Sequence, residues 1–243
     1  MADCVQVARK RKIHEIGFSE HVLLRHLKGR SDSFTQQMSA YVHDFVEFKK
    51  ILSVPIKLGA EIDFFPDDAR KINGFIRKYP FDYVIGSVHV IGDWIFDEPS
   101  EIHEYAKRDT WHIYNEYFNL VKSAASSRLF DVLGHPDIIK IFGAKPKTDF
   151  SHVLEETAET IARANVCIEI NTRGLRRPCQ EIYPSEQFLR ILHRHNVPVT
   201  FGSDAHAPED VGRDFKEATK LAKRVGYTHA CMFNRRERAS VRI

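Results

Sequence analysis

Seven short apolar runs, separated by stretches of helical periodicity or polar loops, constrain this chain more than any other feature. They lie at 13–18, 56–64, 81–88, 130–133, 166–170, 197–201 and 227–233. Between them, Met38, Tyr41, Val42, Phe45, Phe48 and Leu52 fall at helical spacing, as do Ile72, Phe75, Ile76 and Tyr79, and then Val153, Leu154, Thr157 and Ile161. Further helices are expected over 2–12, 101–125, 185–195 and 213–225, and Asp67 and Asp68 mark the start of the one carrying Ile72. Short β-branched strands alternating with amphipathic helices specify an α/β fold around a parallel sheet. No fixed-period repeat, low-complexity segment or linker divides residues 1–243. A single domain closing toward a TIM-like barrel is therefore expected, with 233–243 a loose basic tail.

In such a barrel the chemistry sits in the loops that follow the strands. Polar side chains that can ligate a metal recur there: His21, Glu61, His89, His135, Asp204 and His206. Imidazole suits zinc, iron or manganese, and a carboxylate can bridge two ions. Any one of these histidines is adequately explained as a hydrogen-bonded rim residue, and Asp204 as a helix cap. Six such groups on one rim argue for a metal centre. The remaining histidines, His26 among them, have no such placement and read as structural.

Composition narrows the function classes. Lys and Arg number 36 against 33 Asp and Glu, a net charge of +3, which is too balanced to argue for a nucleic-acid partner. No apolar run is long enough to span a bilayer and no charged-then-apolar leader opens the chain, so a cytoplasmic protein without membrane contact is expected. Cys4, Cys167, Cys179 and Cys231 form no CxxC pair, so reduced thiols are expected.

The series Gly17-Phe18-Ser19-Glu20-His21, Gly59-Ala60-Glu61-Ile62-Asp63, Gly86-Ser87-Val88-His89, Gly134-His135-Pro136-Asp137 and Gly202-Ser203-Asp204-Ala205-His206 resembles the PHP (polymerase and histidinol phosphatase) superfamily. The segments 81–89 and 171–178 look specifically like its monofunctional histidinol-phosphate phosphatases. The resemblance implies a distorted seven-stranded (β/α)7 barrel with up to three divalent ions (Zn, Mn or Fe), hydrolysing the small phosphomonoester L-histidinol phosphate in histidine biosynthesis. By the same resemblance, Glu61 bridges, His89 and His135 complete one site, His21 and His206 belong to a second, and Asp204 to the remaining one. Arg176 or Arg177, and Lys140, match positions that hold the substrate phosphate. Arg173 reads more readily as solvated loop charge. Asp93, with neighbouring acidic residues, would receive the substrate's ammonium, and Asp204 or His206 would shuttle the proton.

The chain also departs from the family pattern. The family opens with a strand ending in His-x-His, and nothing before Ala2 supplies it. The expectation is a barrel lacking its first strand, either because the protein begins upstream of Met1 or because the chain is a weakened member. It would then hold fewer ions, hydrolyse its substrate weakly, and show a gap between strand 13–18 and the final strand near Cys231. Two alternatives stay open: a PHP phosphoesterase acting on nucleotides or DNA ends, and a non-catalytic scaffold that keeps one metal.

Overall fold

Six parallel strands, paired in the order in which they occur in the chain, form the central sheet of the computed structural model, which describes residues 1–25, 27, 33–50 and 54–243. They are β1 (Ile16–Val22), β2 (Ile56–Asp63), β3 (Tyr83–Ser87), β4 (Val132–Leu133), β5 (Cys167–Asn171) and β6 (Val199–Gly202). Sequential order with parallel pairing requires a crossover after every strand, and the crossovers cover the outer face. The result is an α/β fold whose sheet curls as a half-barrel. Expected residues His26 and Leu52 lie outside the described residues.

The main helices are α1 (Ala2–Lys10), α2 (Ser33–Lys50), α3 (Ala69–Ile76), α4 (Thr110–Ser127), α5 (Ser151–Ala164), α6 (Glu186–Arg194) and α7 (Phe215–Val225). Helix α4 buries Ile113, Tyr117, Phe118 and Val121, α5 buries Val153, Leu154 and Ile161, and α6 buries Phe188, Leu189 and Leu192. Phe118 meets the ring of Phe188 edge-on at 5.5 Å, locking α4 against α6 in the outer core. The expected helix over 101–125 is broken. Asp109 caps a fresh start at Thr110 by accepting the His112 N–H at 3.0 Å, and Arg108 before it is extended.

Strand β1 extends further than its apolar run, because Ser19, Glu20 and His21 keep pairing with β2 through the register His21↔Glu61. Parallel pairing satisfies the backbone whatever the side chain, so hydropathy ended this strand too early. The register carries on from Glu61↔Ile85 to Asp63↔Ser87. Because side chains alternate, Glu61, Asp63 and Ser87 share one face near the carboxyl ends of their strands.

The last apolar run does not enter the parallel sheet, which corrects the seven-strand count. Instead, β7 (His229–Asn234) pairs antiparallel with β8 (Glu237–Arg242). Residues 233–243 are thus not a loose tail but the second half of a hairpin. Among the described residues no ladder joins β7 to β1, and the sheet has open edges at β1 and β6. The hairpin stands under the sheet's amino-terminal ends. Lys57 donates to Asn234 Oδ1 at 2.9 Å, the Arg235 N–H to Asp82 Oδ1 at 3.1 Å, and Arg236 Nε to Asp131 Oδ2 at 2.8 Å. Cys231 and Phe233 pack against Ile85, Val132 and Cys167 to make a separate apolar floor. In that floor the Tyr83 ring lies so close over β2 that a Cβ at Gly59 would collide with it.

Candidate metal centre

Three side chains converge above this floor. Glu61 Oε1 stands 3.0 Å from His135 Nε2 and 3.7 Å from His89 Nε2, and the two imidazole nitrogens are 3.3 Å apart. All three residues are buried, and their ligating atoms lie within 4.8 Å of one another. Glu61 comes from within β2, whereas His89 and His135 come from the loops just past β3 and β4.

Neighbouring groups orient them. The Asp63 carboxylate sits 2.5 Å from His89 Nδ1, which places the ring proton there and turns the Nε2 lone pair toward Glu61 and His135. Ser87 donates to Glu61 Oε1 at 2.7 Å. Glu169 Oε2 accepts the His135 backbone N–H at 3.0 Å and the Asn171 side-chain amide at 2.9 Å. A Cβ at Gly202 would collide with the Glu169 carboxylate, so β6 must carry glycine beside it. His135 and Asp204 have φ of 25° and 49°, a left-handed backbone that non-glycine residues adopt at some cost and that concentrates at functional sites.

The electrostatics fit a cation. Burial alone would raise the Glu61 carboxyl, but the charge of His21 and the hydrogen bond and charge of His135 hold it well below the usual range. Burial disfavours a charged His135, yet the Glu61 hydrogen bond and charge, with Asp204 and Glu169, push it up to about 9. Burial likewise opposes charge on His89, and Asp63 and Asp97 raise it nonetheless. Glu169 is pushed up to about 7, by burial first and by the Asp204 charge. A carboxylate and two imidazole lone pairs aimed at one point, in a field that favours positive charge, form a donor set suited to a divalent ion. Among the described residues, the buried Nδ1 of His135 has no hydrogen-bond partner, while its Nε2 faces Glu61 and His89.

The other three expected ligands adjoin this trio. His21 Nδ1 lies 3.6 Å from Glu61 Oε2, and its ring is 5.7 Å from that of His206. Asp204 lies close enough to Glu61 and His135 to feel the charge of both. It is bound, however, by Arg173, whose Nη1 is 2.9 Å from Asp204 Oδ1 and also meets the His206 ring.

The expected substrate contacts fare differently. Arg176 is held inside the protein by Asp214 at 3.0 Å and the Ser203 carbonyl at 3.1 Å. Lys140 is buried, with its ammonium divided among Asp137 (2.9 Å), Glu181 (3.1 Å) and the Ile182 carbonyl (2.9 Å), leaving no N–H for a phosphate. Arg177 is half-buried, and its guanidinium makes no hydrogen bond or ion pair among the described residues. It acts by charge on Tyr183, whose ring is 6.3 Å from that of His135. Asp93 is exposed on a hairpin turn and lines a surface cleft with Glu101, Glu104 and Glu116, a lining that includes none of the three cluster residues.

Asp63 and Glu169 were not singled out from the sequence, and Arg173, read there as solvated loop charge, is instead engaged with Asp204. Asp63 and Glu169 had a signal: Asp63 repeats the Glu61 face two residues on, and Glu169 is the only charge within the apolar run 166–170. Arg173 had none, since contact with Asp204 joins loops 31 residues apart.

A parallel half-barrel with imidazoles and carboxylates gathered at its carboxyl rim is an α/β protein with a candidate metal centre. The chain belongs to the PHP domain family, whose model matches residues 1–173, and a PHP-associated segment matches 186–224. It is similar to a probable histidinol-phosphatase of Deinococcus radiodurans, 38% identical over 173 residues, and spans 65% of that protein while 70% of this chain is matched. A probable histidinol-phosphatase of Clostridium acetobutylicum is 27% identical over 89% of this chain and 84% of its own length. The fold matches the histidinol phosphate phosphatase of Lactococcus lactis solved with zinc, L-histidinol and phosphate, with a TM-score of 0.78, 24% identity, and coverage of 98% of this chain and 92% of that one. No helix among the described residues is long and apolar enough to cross a membrane.

Proposed function

We propose that this chain is a metal-dependent phosphomonoesterase of the histidinol-phosphatase type, working in the cytoplasm on L-histidinol phosphate. The buried convergence of Glu61, His89 and His135 carries the reading. The names of its relatives, and the zinc, histidinol and phosphate bound by the Lactococcus protein, support the substrate and the ion.

Glu61, His89 and His135 would hold one divalent ion, with His21, Asp204 and His206 adjoining the trio. When bound, the ion would supply Lewis acidity and lower the pKa of water. Asp63 keeps the proton of His89 on Nδ1, and Ser87 fixes the Glu61 carboxylate, so both present lone pairs inward. Arg177, whose guanidinium is unpaired among the described residues, offers it to the phosphoryl oxygens, where charge must be offset in a loose transition state. His206, half-exposed at the mouth with Asp204 beside it, passes the proton between attacking water and leaving alkoxide.

Phosphate release from L-histidinol phosphate and from a nucleoside monophosphate, before and after chelation and zinc return, tests the reading. Loss on chelation, recovery with zinc and a clear preference for histidinol phosphate are expected. Equal turnover of both substrates, or of neither, would overturn it.

A further inference from the structure

Arg173 occupies a position that a cation would otherwise claim. Asp204 is largely buried, and a buried carboxylate needs a counter-charge close by. Nη1 of Arg173 supplies it, at 2.9 Å from Asp204 Oδ1 and 3.3 Å from the Asp204 carbonyl, while also meeting both His206 ring nitrogens, Nε2 at 2.8 Å. The second carboxylate oxygen is taken too, by the Asn171 amide at 3.3 Å. One nitrogen thus gathers the carboxylate oxygen and imidazole atoms that a metal ion at Asp204 and His206 would use.

The arginine is fixed from behind. Its own N–H donates to Asn171 Oδ1 at 2.9 Å, and it opens the 3₁₀ turn Arg173–Arg176. That turn is anchored by Thr172, which donates to the Arg213 carbonyl at 2.7 Å. A guanidinium keeps its charge at every accessible pH and cannot be displaced by deprotonation, as a lysine could. By contrast, Glu61, His89 and His135 have no Lys or Arg among them in the described structure, and their convergent atoms face one another.

We propose that the Arg173 guanidinium is a built-in cation filling the Asp204–His206 half-site, so that the chain takes a single divalent ion, on Glu61, His89 and His135. The inference rests on the metal-centre reading of that trio. Arg173 does the electrostatic work of a neighbouring ion, compensating Asp204 and holding His206 at the mouth, without the chain having to capture one.

Metal content after gel filtration in excess zinc, with cobalt absorption as a second readout of new ligand fields, tests this. The native chain is expected to carry one ion and Arg173→Ala a second, weaker one that adds a cobalt band. Arg173→Lys, which keeps the charge, stays at one, and Arg173→Ala combined with Asp204→Asn returns to one. If Arg173→Ala does not fold, Arg173→Gln, which keeps bulk without charge, gives the same reading. Two or more ions on the native chain, or a folded neutral variant that still carries one, would overturn the inference. A native chain that carries none, like Glu61→Gln, would instead overturn the metal-centre reading beneath it.

Discussion

Glu169 Oε2 receives the backbone N–H of His135 across 3.0 Å, tying a buried carboxylate on β5 to the loop after β4 that presents a residue of the candidate metal centre. The carboxylate reaches that loop only because β6 carries no side chain at Gly202. Gly202→Ala is therefore expected to destabilise the fold by about 1–3 kcal/mol through overpacking. At about 2–4 °C per kcal/mol for a chain of this size, a thermal melt will register it. Pairing it with Glu169→Ala should recover part of the loss, and independent, additive effects would show that the two positions do not meet.

His89 depends on Asp63 for its ring orientation. Asp63→Asn should weaken zinc binding about 10–100-fold, the usual cost of removing such an outer partner. His89→Ala should cost more. Competition with a chromophoric chelator measures both, and equal zinc affinity in Asp63→Asn and the native chain would refute the orienting role.

Among the described residues Arg177 has no carboxylate to hold it, whereas Arg176 is committed to Asp214 and Ser203. Arg177→Ala should lower kcat/KM for histidinol phosphate about 10-fold or more, corresponding to loss of a charge-assisted hydrogen bond worth about 1.5–3 kcal/mol. Arg176→Ala should instead lower the melting temperature. Steady-state kinetics and melts on the two variants separate the roles.

The C-terminal hairpin is held by Arg236 against Asp131, whose carboxyl burial pushes up and the arginine pulls down again, with a net rise. Arg236→Ala leaves that partly buried carboxylate short of its partner, at an expected cost of about 1–3 kcal/mol. Denaturant unfolding should move to a lower midpoint. An unchanged midpoint would mean that the hairpin adds nothing to stability.

Acid should weaken the contact between α6 and α7. Hydrogen bonds from Arg224 and Arg190 lower the exposed Glu186 carboxyl from 4.5 to about 2. A carboxylate depressed on folding stabilises above its unfolded value, so this contribution is present above pH 4.5 and is lost as the pH falls toward 2. Glu186→Gln should flatten the fall of melting temperature in that window, and high salt should flatten the native chain in the same way.

The alternation of apolar runs with amphipathic stretches made the parallel sheet legible, because period and length are local properties. His89 and His135 were readable for the same reason, each standing just beyond a buried strand. Three things were not. His21 lies within β1, since backbone pairing with β2 outlasts the apolar residues. The run at 227–233 is as apolar as any sheet strand, and only its partner, β8, shows that it folds back. Arg173 and Arg176 are three residues apart in one loop, and only tertiary contact with Asp204 distinguishes the one at the rim from the one sunk among Asp210 and Asp214.

Strand β3 has five residues, Tyr83 to Ser87, roughly 13 Å from end to end at about 3.3 Å per residue. Tyr83 rests on the floor that the hairpin builds, and Ser87 grips Glu61. The strand thus sets the depth of the cup, and an inserted or deleted residue would disturb foundation and rim together. Changes confined to the loops beyond Ser87 can alter which molecule the rim receives without touching what it stands on.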